Sequence, residues 1–453
     1  MKNQNEVLHK YSLRQIEKVA KRVSGNVGLF TIDNKNIDGS HISINGRELI
    51  NFGSCIYSGL ETDNRLKEAA IEAIRKYGTH FCSSRAYLSV TPYTEAETLL
   101  SEMFDCPVII APSITLAHQS CIPIIIEEND AVLIDSRAHE SMQLPVQMLE
   151  LRGIHIETIK HNDLTQIEEK IKMLKDTHKN IWYFCDGVYS TCGDLAPVKE
   201  LKKLLDRYEQ FHLYLDDAHG VSWAGGNGAG YVPSQGPLHP KMLLISSLAK
   251  GFACTGGVIL IQDTEMRTRI RNCGTTLMFS NPLCPASLGA IIESAKIHLS
   301  SEIYDRQREL QRKISVFNET ARSYNLPILS ENRSPINFIA MGKDAVGFNL
   351  TKRLFNLGFY TNWSVYPSVP RNQSGVRILI TMHHTMQDIE RLLAALAEQL
   401  PLALAEEGSS MEDIYEHFKA EFPLSARVDP SNANLVEALV DSDPLTVSYP
   451  PIA

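Results

Sequence analysis

The residues of this chain best suited to chemistry stand at the ends of short apolar runs. The stretch "LYLDDAHGVSW", Leu213 to Trp223, carries Asp216, Asp217 and His219, and "ISSLAKGFACTGG", Ile245 to Gly257, carries Lys250 31 residues past that histidine. An isolated lysine at a strand end is ordinarily a solvated surface group. Small neighbours, Ser247 three residues before it and an Asp-x-x-His one sheet unit earlier set Lys250 apart. An amine in a partly desolvated pocket has a lowered pKa and can form a Schiff base with an aldehyde. Pyridoxal phosphate chemistry needs such a lysine. It also needs an acid to keep the pyridine nitrogen protonated, a flat group against the ring, and donors for a phosphate.

The elements that must position these groups are legible as a repeating pattern. Apolar runs recur as "PVII" at 107–110, "AVLI" at 131–134, "IWYF" at 181–184, "LYL" at 213–215, "MLLI" at 242–245 and "VILI" at 258–261. Short unbroken runs rich in β-branched and aromatic residues suit strands buried on both faces. In "VKELKKLLDRYEQF", Val198, Leu201, Leu204, Leu205 and Tyr208 make one helical stripe. Strands alternating with helices give an α/β fold with a mostly parallel sheet, whose ligands collect beyond the carboxyl ends of the strands. "DSRAHES", "DGVYS", "DDAHG" and "SSLAKG" each follow an apolar run, so one sheet edge can gather them.

With 453 residues, 43% hydrophobic and 21% charged, the chain is an ordinary globular protein of more than one domain. The boundaries read from it are an N-terminal segment over 1–60, a large cofactor-binding domain over 61–290 and a smaller α+β domain over 291–402. A further helix and a flexible tail complete the chain over 403–453. The smaller domain is expected to hold one long helical stretch from 286 to about 325, strands "INFIAM" and "VRILIT", and a helix with Ile389, Leu392, Leu393, Leu396 and Leu400 on its stripe. "SSMEDIYEHFKAEF" at 409–422 has a serine N-cap and is expected to dock as one more helix, over the active site or at an interface.

A net charge of −9 argues against adhesion to nucleic acid. The first 22 residues lack the apolar core of a secretory signal, and no window reaches 18 apolar residues, so a cytosolic protein with no transmembrane segment is expected. Nine cysteines without a CxxC pair suggest reduced, mostly buried thiols. "GGNGAG" at 225–230 reads as a turn, since no helix plainly opens from it. "HE" at 139–140 has Gln143 where a metalloprotease helix needs histidine, and His383 and His384 are read as surface or loop residues rather than metal ligands.

Six segments in order, "DSRAHES", "DGVYSTCGDLAPV", "DDAHGVSWAGGNGAG", "SSLAKG", "FSNPLCP" and "VRILITMHHTMQDIERLL", resemble the fold-type I pyridoxal-phosphate enzymes, and within them the α-oxoamine synthases. The resemblance spans about residues 45–400. It implies that Lys250 forms the Schiff base and moves the Cα proton, and that Asp216 partners the pyridine nitrogen. His219 and Ser190 would lie near the phenolic oxygen, and His139 would stack on the ring. Asp217 is expected to be structural. Ser113, Ile114, Thr115 and Ser247 would bind the phosphate, with Ser280 supplied by the second subunit of a homodimer. Arg377 would bind the substrate α-carboxylate, although the arginine that precedes it in the family's motif is absent here.

The implied reaction joins an amino acid to an acyl thioester, carried by CoA or acyl carrier protein, through a carbanion, to give an α-amino ketone. An aminotransferase, or a lyase or aldolase on a small amino acid, is the alternative. A non-catalytic binding protein would be expected to lack Lys250. Departures fall in the substrate and phosphate loops. The family's Ser-Gly-Phe-Ala-Ala-Asn reads Ser113-Ile114-Thr115-Leu116-Ala117-His118, without the glycine. Its Asn-Asp-Tyr-Leu-Gly reads "CIYSG", with Cys55 for a substrate-contacting asparagine, and its Ser-Arg-x-x-x-Gly reads "SSRAYLSV".

Overall fold

The computed structural model describes residue 14, residues 16–329 and residues 333–419; the tail expected from about 424 lies outside them. Its strands are β1 His41–Ile44, β2 Arg47–Asn51, β3 Val108–Ala111, β4 Ala131–Asp135, β5 His155–Ile159, β6 Ile181–Asp186, β7 Phe211–Asp216, β8 Met242–Ser247, β9 Gly257–Leu260, β10 Ile336–Gly342, β11 Phe359–Tyr360, β12 Asn362–Ser364 and β13 Ser374–Leu379.

The fold is α/β. A seven-stranded sheet runs in the order β3-β9-β8-β7-β6-β4-β5, parallel except for β9, which pairs antiparallel with both its neighbours. Every residue of β3, β4, β6, β8 and β9 is buried, as unbroken apolar runs require of a sheet covered on both faces. Strand β5, "HIETI", went unread in the sequence for a physical reason. It is the sheet's edge, pairs only with β4 and leaves His155 and Thr158 exposed, so it carries no apolar run.

Helix Val198–Arg207 buries Val198, Leu201, Leu204 and Leu205, and Tyr208 falls just past its end as the C-cap. The single long helix expected over 286–325 is two, Pro285–His298 and Glu302–Ser323. Ser300 breaks them apart, its Oγ accepting the Glu302 N–H at 3.3 Å.

The C-terminal unit is an antiparallel sheet, β10-β13-β12, backed by helix Met386–Glu406. Ile389, Leu392, Leu393, Leu396 and Leu400 of that helix are all buried. At ~1.5–3 kcal/mol for each fully buried aliphatic side chain, this stripe rather than local propensity holds the helix. Helix Met411–His417 starts with Ser410 and Asp413 capping each other reciprocally, and it packs on β10 through Ile414 and Phe418. Phe418 meets Phe338 edge-on at 6.3 Å, which places this helix against the small sheet.

The N-terminal hairpin β1-β2 joins the same unit, since β2 pairs in parallel with β11. The chain from Phe52 to Tyr57 then runs along β13, with the carbonyls of Phe52 and Tyr57 accepting Leu379 N–H and Met382 N–H, each at 2.9 Å. This lay brings Cys55 beside Arg377. No helix among the described residues is long and apolar enough to cross a membrane.

Candidate active site

Six strands of the large sheet share one direction, so the residues at their carboxyl ends meet at one edge. There β3 leads to Ser113, β4 to His139, β6 ends at Asp186 and leads to Ser190, β7 ends at Asp216, and β8 ends at Ser247 just before Lys250.

Asp216 is buried, its Oδ1 accepting Ala218 N–H at 2.9 Å and its Oδ2 lying 3.0 Å from His118 Nε2. Burial works against ionisation, yet His118, Lys250 and the Ala218 amide outweigh it and hold the carboxyl below its ordinary pKa. Asp186 is the register partner of Asp216 on the next strand, and burial first, then the Asp216 charge, drives its pKa well up. Of the two neighbouring carboxyls, Asp216 is thus the one held toward its ionised form and Asp186 the one pushed toward its protonated form. Asp186 also accepts the His139 backbone N–H at 3.0 Å, tying β6 to the loop that presents that ring.

His219 Nδ1 lies 2.6 Å from Tyr57 Oη. Burial, assisted by Lys250 and Arg377, lowers the imidazole well below its usual value, and burial raises the Tyr57 phenol. With the phenol donating to Nδ1, the hydrogen of neutral His219 would sit on Nε2. His139 caps helix Glu140–Leu149 with Nδ1, which lies 2.7 Å from Ser141 Oγ. Its ring keeps an exposed face, and burial of the remainder lowers its pKa against the pull of Asp216. The Lys250 amine is lowered by burial, while Asp216, Cys55 and Asp186 work to raise it.

Ser113 is the N-cap of helix Ile114–Ile125, its Oγ accepting Leu116 N–H at 3.2 Å. The first N–H groups, those of Ile114 and Thr115, stand at the positive end of the helix dipole, a ready anion site. The glycine missing at 114 is not needed, since Ser113 is extended at φ −156° and no residue from 113 to 115 has positive φ. It is Gly257 on the facing strand that allows the approach, because a Cβ there would lie 2.7 Å from Ile114 N. Ser247 is buried, its Oγ accepting Ala249 N–H at 3.1 Å.

Arg377 on β13 donates from Nε to the Ser190 carbonyl at 2.6 Å and from Nη2 to Cys55 Sγ at 3.7 Å. Its guanidinium has no carboxylate partner among the ion pairs of the described residues, which sets aside the surface ion pair as its role. Ser280, by contrast, points outward and bonds only weakly to the carbonyl of Asn281, at 3.5 Å.

Asp217 is fully buried, and its Oδ2 accepts Val232 N–H at 2.9 Å. Gly187, Gly220 and Gly230 surround it, and a Cβ on any of them would come within 2.6 Å of its carboxylate. It shapes the loops and does not face the site. His384 proves to be a buried loop residue, stacked on Phe52 at 4.1 Å and held to about 4 by burial, while His383 meets Glu61 at 2.7 Å. Among the described residues no cluster could hold a metal. All nine cysteines are unpaired, but only four are buried, so the expectation of mostly buried thiols is corrected.

Three contributors were not read from the sequence: Tyr57, His118 and Asp186. A fourth lies behind them. His161 bridges Asp135 Oδ1 at 3.0 Å and Asp194 Oδ2 at 2.5 Å, linking the loop that bears His139 to the one that bears Ser190. Although burial opposes it, these carboxylates raise the imidazole from 6.5 to about 9. A raised folded-state pKa stabilises fully below the unfolded value and is lost as pH climbs through the folded one. At ~1.4 kcal/mol per pKa unit the bridge contributes on the order of 3 kcal/mol below pH ~6.5. Thermal unfolding followed from pH 6 to 10 should show a falling midpoint that is much flatter in His161→Gln; parallel curves would refute the bridge.

The donor set fits pyridoxal phosphate. It offers an amine for the aldehyde, a buried ionised acid for the ring nitrogen, two neutral imidazoles, and a helix N-terminus with serine hydroxyls for the phosphate. Comparison with known proteins bears on the same point. Residues 47–396 match the sequence profile of the family described as aminotransferase class I and II. The chain belongs to that family. Within this pyridoxal-phosphate family it falls in the α-oxoamine synthase branch. It is 30% identical to the 8-amino-7-oxononanoate synthase of Thermoanaerobacter pseudethanolicus, over 78% of this chain and 88% of that one. The enzyme of the same name from Thermosipho melanesiensis is also 30% identical, over 81% and 92%. Among solved structures, serine palmitoyltransferase from S. paucimobilis superposes with a TM-score of 0.79 at 20% identity, covering 87% of this chain and 98% of that one. The 8-amino-7-oxononanoate synthase of Francisella tularensis gives 0.65 at 22% identity, over 78% and 98%. Both show the fold-type I architecture.

Proposed function

We propose that this α-oxoamine synthase-like transferase condenses an amino acid with an acyl thioester of CoA or acyl carrier protein to give an α-amino ketone. The observation that carries the reading is the gathering of Lys250, ionised Asp216 and neutral His219, with Lys250 and His219 in the field of Arg377, a guanidinium with no ion-pair partner among the described residues. The names of the curated relatives favour condensation over transamination.

Bound pyridoxal phosphate supplies an electron sink for negative charge at the amino acid α-carbon. Lys250 would hold its aldehyde, Asp216 its ring nitrogen, and Ser113, Ile114, Thr115 and Ser247 its phosphate. His139 would present its exposed face to the ring, and His219 would donate from Nε2 to the phenolic oxygen with Ser190 alongside. Arg377 spends Nε on Ser190 and makes only a long contact from Nη2 to Cys55 Sγ at 3.7 Å, so Nη1, with Nη2 once that contact is exchanged, would grip the α-carboxylate. Lys250 Nζ, its pKa lowered by burial, is the group suited to take and return the α-proton. The α-carbon would then attack the thioester carbonyl, a C–C bond forming as the C–S bond breaks and the thiol leaves. The 2-amino-3-oxo acid so formed gives the α-amino ketone by losing its carboxylate as CO2, with a proton returned to the α-carbon from Lys250 Nζ.

The decisive measurement is release of free thiol by the purified holoprotein. Release that requires both an amino acid and an acyl thioester supports condensation, whereas conversion of the cofactor to its amine form by an amino acid alone would favour transamination. Arg377→Lys keeps the charge but loses the two-pronged grip. It should raise KM for the amino acid about 10- to 100-fold, the ~1.5–3 kcal/mol of a charge-assisted hydrogen bond, with a smaller change in kcat. An unchanged KM would remove Arg377 from the carboxylate site.

A homodimer with shared sites completes the reading. Tyr87, Leu88 and Phe279 are 85%, 69% and 81% exposed on adjoining loops, an apolar patch next to outward-facing Ser280. A monomer in sedimentation would refute it. A cytosolic setting accords with nine unpaired thiols.

A further inference from the structure

His118 is fully buried on the first turns of helix Ile114–Ile125, and it stands where the family's loop usually ends in asparagine. Its Nδ1 lies 2.8 Å from Tyr214 Oη and its Nε2 lies 3.0 Å from Asp216 Oδ2. Tyr214 is itself buried, stacked on Phe184 at 4.7 Å, and burial pushes its phenol well above the ordinary range. An ionised Asp216 can only accept, so Nε2 carries a hydrogen donated to Oδ2, and with the single hydrogen of a neutral ring placed there Nδ1 is the acceptor for the Tyr214 hydroxyl. Each oxygen of the Asp216 carboxylate is then held by one donor, Oδ1 by the Ala218 amide and Oδ2 by His118.

Two fixed donors set the plane of a carboxylate, whereas a single one leaves it free to turn. They also leave one lone pair on each oxygen for a further N–H. An asparagine side chain at 118 would be about one atom shorter in reach and could not accept from Tyr214 and donate to Asp216 in the same straight line.

We propose that Tyr214, His118 and Asp216 form a directional relay in which His118 is a positioning residue, aiming the Asp216 carboxylate at the ring nitrogen of the cofactor. The proposal rests on the assignment of Asp216 to that nitrogen. His118 touches neither cofactor nor substrate and acts only through Asp216. A merely structural His118 would contribute to packing and affect every ligand of the site alike.

The relay is separable from packing by a cofactor that lacks the nitrogen. Holoprotein is reconstituted with pyridoxal phosphate labelled with 15N in the ring, and in parallel with 1-deaza-pyridoxal phosphate, which has carbon at that position. In His118→Phe the ring-nitrogen resonance should move toward the unprotonated position. Affinity for pyridoxal phosphate, measured by equilibrium dialysis, should fall about tenfold, the loss of one charge-assisted hydrogen bond, while affinity for the deaza compound stays as in the wild type. His118→Gln, which can still donate to Asp216, should recover most of the affinity. Tyr214→Phe removes only the hydroxyl and keeps the stacked ring, so it should move the resonance in the same direction by less; it decides the matter should His118→Phe fail to fold. An unmoved resonance, or an equal loss of affinity for the two cofactors, overturns the relay. Failure of the wild type to bind pyridoxal phosphate would instead strike the assignment of Asp216 and of the cofactor site.

Discussion

Lys250→Ala should give a folded protein that has lost both the visible absorbance of a covalently attached cofactor and at least ~10⁴-fold in kcat. The rate estimate follows from the work one amine is asked to do. Proton transfer by a positioned group is worth ~10²–10⁴-fold, and loss of the covalent anchor adds to it. The fold should survive, because the side chain is half-buried and burial already disfavours its charge. Its removal relieves desolvation as well as contacts, so the unfolding free energy should change by no more than ~1 kcal/mol. Secondary effects have a definite direction. Lys250 helps to lower His219 and to keep Asp216 ionised, so in its absence His219 should titrate higher. An NMR titration of His219 tests that separately from turnover. A variant that keeps its colour and its activity would end the case for Lys250 as the anchor. A variant that binds cofactor without colour, and regains some activity with added small amines, would support it.

What could be read in the sequence divides along a physical line. Strands β3, β4, β6, β7, β8 and β9 announce themselves because burial on both faces demands unbroken apolar runs, and the helical stripes of Val198–Arg207 and Met386–Glu406 follow from one buried face. The edge strand β5 has a single neighbour and needs no such run, so "HIETI" resembles a loop. The residues proposed to hold the cofactor lie at strand ends in short polar motifs, which chain order keeps legible. Those that act through another residue leave no local mark. His118 and Asp216 are 98 positions apart, and Tyr57 and His219 are 162 apart. Only the sheet order and the course of the N-terminal segment along β13 bring them together. His161 hides in the same way, because its partners Asp135 and Asp194 lie on either side of it in the chain. His384 lies in a loop as expected, but its burial is not legible, because adjacent histidines carry no burial signal while stacking on Phe52 is a tertiary event.

Asp216→Asn should lower kcat by ~10²–10⁴-fold while the cofactor still binds covalently to Lys250. The asparagine keeps nearly the same shape, and its carbonyl oxygen can still accept the Ala218 amide that Oδ1 now accepts. What is lost is the charge that favours a proton on the ring nitrogen, and with it the sink for electrons released at the α-carbon. A thousandfold loss corresponds to ~4 kcal/mol of transition-state stabilisation, which is plausible for one charge in a site of low dielectric. The neighbouring carboxyl is the only evident rescuer, since Asp186 sits in register beside Asp216. Two effects then compete. Loss of the Asp216 charge eases the ionisation of Asp186, but burial is the larger cause of its raised pKa and remains, and its Oδ1 is engaged with the His139 amide. Burial is the larger cause and remains, so Asp186 stays biased toward its protonated form and the variant should recover little activity at neutral pH. Raising the pH should recover some turnover only if Asp186 can ionise and turn toward the ring, and the double variant with Asp186→Asn would then abolish that recovery. A rate loss confined to KM, with kcat intact, would mean that Asp216 binds the substrate rather than serving the ring nitrogen.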